Sequence, residues 1–226
     1  MKHAYIFLVY IFIYGCTNVD SIKNNNTTSD TLKINKAELK FVHLNKLSVT
    51  GDFDGDGKKD TLVENNISGL NKMPIDSIPN YSEWDSLARY FDSIESDLIL
   101  SLINRKCDTL HLGSGQGLFC LINIGDNNND KKDEIALVVD HCTFTNICTC
   151  HIYSLCDNKW IELKYFIIHR DAFEYDENSK PYSNGIKGFL ELRKNKWMYI
   201  DYYDWFEAKS EKDTVLKPLK IKSSCI

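Results

Sequence analysis

Two short stretches share one layout, and they restrict the fold of this chain more than any other feature. "GDFDGDGKKDTLV" (51–63) and "GDNNNDKKDEIALVV" (125–139) each open on Gly-Asp, place oxygen-bearing side chains at alternate positions, pass through Lys-Lys-Asp and then turn apolar. Aligned from their first aspartates, Asp52, Asp54, Asp56 and Asp60 correspond to Asp126, Asn128, Asp130 and Glu134. Like charges at this density repel one another, so a compact loop requires a counter-charge. A repeated loop followed each time by an apolar run makes chance a poor explanation and calls for two similar loop-and-strand units.

A bound cation is the counter-charge the pattern fits. Calcium takes six to eight oxygen ligands at about 2.3–2.6 Å. In a tight turn, side chains at positions one, three and five converge on one point. The carbonyl at position seven (Lys58, Lys132) adds an oxygen, and an acid at position nine (Asp60, Glu134) closes the shell. Gly57 supplies the sharp bend of the first loop. In the second loop Lys131 stands at that position and Asn128 replaces a charged ligand, so the first loop is expected to dominate. The alternative is a solvated acidic turn of the Asp/Asn/Gly kind that joins strands. An EF-hand is excluded: position twelve is Val63 rather than a bidentate Glu, and the flanks "LKFVHLNKLSV" and "DTLVENN" read as strand instead of helix.

The pattern Asp-x-Asp-Gly-Asp-Gly-x-x-Asp followed by an apolar strand resembles the FG-GAP or VCBS repeats of integrin-type β-propellers. That resemblance implies a structural calcium ion in each loop, held by the eight aligned residues. It covers two blade-like units, and the "FG" and "GAP" segments of the family are not evident. A seven-bladed ring at about 40–45 residues per blade needs roughly 300 residues, more than the segment 34–226 holds. The expected fold is therefore mainly β (α+β), a partial propeller-like or open β assembly with one packed helix.

The remaining segments agree. "CHIYSL" and "KWIELKYFII", joined by Cys156-Asp157-Asn158, and "GFLELRK" and "KWMYIDYYDW", meeting around Asn195, read as aromatic-rich hairpins. "SEWDSLARYFDSI" (82–94) places Trp84, Leu87, Phe91 and Ile94 at helical spacing behind Ser82 as N-cap, and those apolar residues read as core.

At the N-terminus, Lys2 and the apolar run "AYIFLVYIFIY" (4–14) end in Gly15-Cys16. The run is shorter than the roughly 20 residues of a spanning helix and suits a signal peptide. Gly15-Cys16 resembles the lipobox of bacterial lipoproteins, although Ile13 and Tyr14 stand where that motif has Leu and a small residue. The resemblance implies cleavage after residue 15, lipid on Cys16, and a protein tethered to the bacterial cell envelope, at the outer membrane. The other reading of the run is a plain secretory peptide. Residues 16–33, rich in Asn, Thr and Ser, form a flexible tether, and the β-rich domain runs over 34–226. With 43% apolar residues the domain can bury a core, and a formal charge of −5 without a basic, aromatic-interleaved patch excludes a nucleic-acid binder.

Other motifs carry less. Cys107, Cys120, Cys142, Cys148, Cys150, Cys156 and Cys225 read as one or two disulfides, as buried thiols, or as a metal cluster, though their spacings are not zinc-knuckle pairs. His169-Arg170-Asp171 lacks the rest of a kinase catalytic loop, and Gly113–Gly117 lacks the Lys-Ser/Thr of a phosphate loop. No catalytic constellation stands out. The expected role is a non-catalytic binding or scaffold module for a protein or glycan ligand. The rival is a calcium-stabilised hydrolase of envelope glycans or peptides, and an aromatic face from Trp197, Tyr199, Tyr202 and Trp205 favours binding.

Overall fold

The computed structural model describes residues 40–81, 83–103, 108–173, 185–207 and 215–222. The expected signal peptide, Cys16 and the tether lie outside the described residues, as do Cys107 and Cys225. The protein is mainly β. Three four-stranded antiparallel sheets follow one another along the chain. The first contains β2 (Ser48–Gly51), β3 (Asp60–Ser68), β5 (Ser96–Leu102) and β6 (Leu110–His111), in that spatial order. The second contains β7 (Gly117–Gly125), β8 (Glu134–Asp140), β9 (Ile147–Cys156) and β10 (Lys159–His169). The third contains β11 (Gly185–Ile186), β12 (Leu190–Arg193), β13 (Lys196–Tyr199) and β14 (Lys217–Pro218). A separate pair joins β1 (Phe41–His43) to β4 (Ser77–Pro79).

The apolar run of β8 explains how the sheets stack. A strand with one wet face alternates polar and apolar residues, whereas "IALVV" is apolar throughout because both faces are covered. Ile135, Leu137 and Val139 pack with Leu62, Leu98, Leu100 and Leu102 of the first sheet. Ala136 and Val138, on the opposite face, share a core with Ile186, Leu190 and Trp197 of the third sheet. The second sheet is thus the middle of three layers. Each layer is an antiparallel sheet of four strands, and among the described residues the layers close no barrel.

Both expected hairpins are present. Asp157 and Asn158 (φ 48° and 64°) link β9 to β10, and Lys194 and Asn195 (φ 50° and 60°) link β12 to β13. Paired left-handed residues give the turn twist that matches adjoining strands. Three expectations need correction. The stretch 39–49 splits into β1 and β2, which belong to different sheets. The second hairpin stops at Tyr199, and "YYDWF" forms α2 (Tyr202–Phe206) because the Asp201 side chain accepts from the Tyr203 N–H and caps it. The packed helix is α1 (Trp84–Ser93), but its N-cap residue is Glu83, not Ser82, and makes no side-chain capping bond. Its apolar stripe, with Phe91 fully buried, packs on Ile75, Ile78 and Cys142.

Candidate metal centre

The two acidic loops occupy equivalent places, each joining the first two strands of its sheet. Asp52 begins the link from β2 to β3, and Asp126 the link from β7 to β8. Their backbones repeat each other. Positions four and six are left-handed in both: Gly55 (φ 78°) and Gly57 (φ 81°) in the first, Asn129 (φ 63°) and Lys131 (φ 70°) in the second. The second loop therefore adopts the bend without glycine, at a steric cost of roughly 1 kcal/mol at Lys131.

The hydrogen bonds repeat too. The first aspartate accepts from the position-six N–H, Gly57 to Asp52 at 2.9 Å and Lys131 to Asp126 at 3.0 Å. The position-five acid accepts from the position-seven N–H, Lys58 to Asp56 at 2.8 Å and Lys132 to Asp130 at 3.0 Å. Asp54 and Asn128 each accept from the residue at position five. These bonds turn the side-chain oxygens inward. Carboxylate oxygens of Asp52, Asp54 and Asp56 come within 4.8 Å of one another, as do those of Asp126, Asp130 and Glu134. The expected sets are thus gathered in part. Asp60 is not in the first group, and its carboxyl is pushed above the usual range by burial and by Asp56 and Asp52. Lys58 turns its ammonium to Asp56 at 3.6 Å, whereas Lys132 sends its own away to the Leu155 carbonyl at 3.0 Å.

Glu134 distinguishes the second loop. It is fully buried, and its Oε2 accepts from the Asn127 N–H at 2.7 Å. Its Oε1 is buried with no hydrogen-bond partner. Burial pushes this carboxyl up to about 7, helped by Asp130, Asp126 and Asp133 and opposed by the Asn127 N–H. A buried carboxylate oxygen without a donor is costly, and a cation among Glu134, Asp126 and Asp130 would remove that cost.

The loops also touch. Asp133 donates its N–H to the Asp52 carbonyl at 2.8 Å and accepts the Asp52 N–H on Oδ2 at 3.0 Å. Asn123 bridges the same carboxylate and the Thr50 carbonyl at 2.8 and 3.0 Å. Gly51 is required here, because a Cβ would lie 2.5 Å from Asn123 Nδ2 and 2.8 Å from Asp133 Oδ2. Phe53, between two candidate ligands, is fully buried in the core between the first two sheets and meets Trp160 at 6.2 Å. The sequence reading missed Asp133, Asn123 and Phe53. Only Phe53, a lone aromatic among acids, carried a signal.

The other motifs resolve separately. Among the described residues Cys120, Cys142, Cys148 and Cys150 are free thiols, and Cys156 is disulfide-bonded. Arg170 lies over the Phe119 ring at 5.2 Å, at a cleft of about 240 Å³ with Asp140 as its carboxylate. The expected aromatic face is divided. Trp197 is buried and Tyr199 packs on Phe166, while Tyr202 stacks on the half-exposed Trp205 at 5.8 Å. The chain matches no family model, no curated protein and no solved structure.

Proposed function

We propose that this chain is a calcium-braced, non-catalytic binding or scaffold module of the bacterial envelope, tethered through lipid on Cys16. The observation that carries the calcium reading is the orphaned, buried Glu134 Oε1 beside Asp126 and Asp130. The shared bond pattern of the first loop supports the same role for Asp52, Asp54 and Asp56, as in the FG-GAP and VCBS repeats the loops resemble. The metal fixes the junction where one strand turns into the next. The aromatic pair of Tyr202 and Trp205 offers a face for a protein or glycan ligand.

Calcium at a hundred times its Kd should stabilise the fold by about 2.7 kcal/mol, a rise of roughly 5–10 °C in melting temperature for a domain of this size. Glu134→Gln should lose the smaller part of that rise yet leave the chelator-treated protein at least as stable, because the amide keeps an acceptor for Asn127 without a buried charge. Asp54→Ala with Asp56→Ala should lower the remainder. Magnesium should replace calcium poorly, since it demands stricter octahedral geometry and keeps its water. Melting that ignores both calcium and chelator would show these loops to be acidic turns. The tether is tested by fractionation: Cys16→Ser should move the protein from the detergent-extractable membrane fraction to the soluble one, and an unchanged distribution would exclude lipid on Cys16.

A further inference from the structure

We infer that Asp133 couples the two loops into one cooperative unit, so that calcium in the second loop prepares the first to bind. The inference rests on the calcium reading and adds a rule for how the sites communicate. Asp133 adjoins Glu134, the buried candidate ligand of the second loop, and clasps Asp52, the first candidate ligand of the other loop. The clasp is two-sided: the Asp133 N–H donates to the Asp52 carbonyl at 2.8 Å, and the Asp52 N–H donates to Asp133 Oδ2 at 3.0 Å. It holds the backbone of Asp52 by both of its hydrogen-bonding groups. An ion that draws Glu134 toward Asp126 and Asp130 therefore fixes Asp133 and, through it, the residue that opens the first site.

A second contact follows the same route. Gly55 of the first loop packs so closely on the second that a Cβ there would lie 3.1 Å from Lys132 Cγ and 3.3 Å from the Lys131 carbonyl. Lys131 and Lys132 span positions six and seven of the second loop, the bend that must be set for its acids to converge. Order in one bend thus limits the room available to the other. Asn123 completes the link by holding Asp133 Oδ2 and the Thr50 carbonyl together.

Repulsion between two doubly charged ions would oppose such coupling. The loops are built to suppress it. With Lys58 and Lys59 set against four aspartates in the first loop, and Lys131 and Lys132 against Asp126, Asp130, Asp133 and Glu134 in the second, each loop carries a formal charge of −2, which one calcium ion brings to zero. What remains is the ordering cost: an empty loop must freeze its own backbone on binding, and a loop already clasped has less to freeze.

Calorimetric titration of the full chain after chelator treatment tests the inference. The wild type should bind two calcium ions, and removing the second site by Asp126→Asn with Glu134→Gln should weaken the first by about tenfold, within the usual range of coupling between sites. Asp133→Ala, with every candidate ligand intact, should give a similar loss at the first site. Asp133→Asn keeps an acceptor oxygen for the Asp52 N–H and should restore most of the coupling, which separates the clasp from the charge. Circular dichroism and melting of each variant establish that it is folded. Should Asp133→Ala not fold, the Asp126→Asn, Glu134→Gln protein decides alone. Two ions bound with first-site affinity unchanged would overturn the coupling and leave the calcium reading standing. No binding to the wild type at millimolar calcium would overturn both.

Discussion

Phe53→Ala should lower the stability of the domain by about 3–5 kcal/mol, the range for deleting a buried aromatic side chain. That corresponds to a melting temperature lower by roughly 6–20 °C. The size follows from where the ring sits. Phe53 is fully buried among Leu62, Leu121, Ile135 and Leu155 and touches Trp160, so its loss opens a cavity between the first and second sheets. The effect reaches the loop as well, because Asp52 and Asp54 flank the ring in sequence. Without that anchor the first loop must order its aspartates unaided, and its calcium affinity should fall along with stability. Phe53→Leu should lie between wild type and Phe53→Ala in both measurements. Denaturant unfolding with and without calcium checks this, and a loss below about 1 kcal/mol would show that the ring is not a wedge between the layers.

Stability should also fall as pH rises from about 5 to 8, and Glu64 should account for a large share of the fall. Glu64, on β3, is buried and ties the first sheet to its surroundings. Its Oε2 accepts the Leu47 N–H at 2.8 Å, and its Oε1 accepts the Leu118 N–H of the second sheet at 3.0 Å. Burial pushes its carboxyl from 4.5 up to about 7, against the lowering by those two N–H groups and by Lys46. A folded-state value above the unfolded one means that the folded protein retains a proton the unfolded chain releases. The favourable contribution is therefore complete below about 4.5 and is lost as pH climbs through about 7. A shift of this size corresponds to roughly 3 kcal/mol. Glu64→Gln cannot ionise and should flatten the profile. It should also be less stable than wild type at pH 5, because its amide N–H₂ faces one of the two backbone donors. Unfolding of both proteins at pH 5 and pH 8 gives the difference, in which other titrating groups cancel. Equal slopes would exclude Glu64 as the source.

What could be read from the sequence was local. The Asp157-Asn158 and Lys194-Asn195 turns, the helical spacing of Leu87 and Phe91, and the alternate acids of both loops are all set by near neighbours, and all were legible. The end of the second hairpin was legible in principle, since Asp201 followed by acidic Asp204 is a helix-start signal. The aromatic run around it drew the reading to strand instead. Distance in the chain hid the rest. Nothing near Asp133 distinguishes it from a solvated acid, because its role is set by Asp52, 81 residues away. Counting charges ranked the first loop above the second, and only the packing around Glu134 shows how fully that side chain is buried. The burial of β8 on both faces could be suspected from "IALVV", but the partners on each side could not.

The order of the layers has a kinetic consequence. In the second sheet β7, β8, β9 and β10 pair strictly in chain order, so each new strand finds its neighbour by closing a short loop. Contacts of that kind form early and favour fast folding. The clasp between Asp52 and Asp133 belongs to the opposite class, since the first loop must wait for its own sheet, β7 and the second loop, 81 residues of chain in all, before its partner exists. A chain emerging from its N-terminus would thus carry its first acidic loop half-built, with like charges unclasped, until the middle layer arrives to lock it.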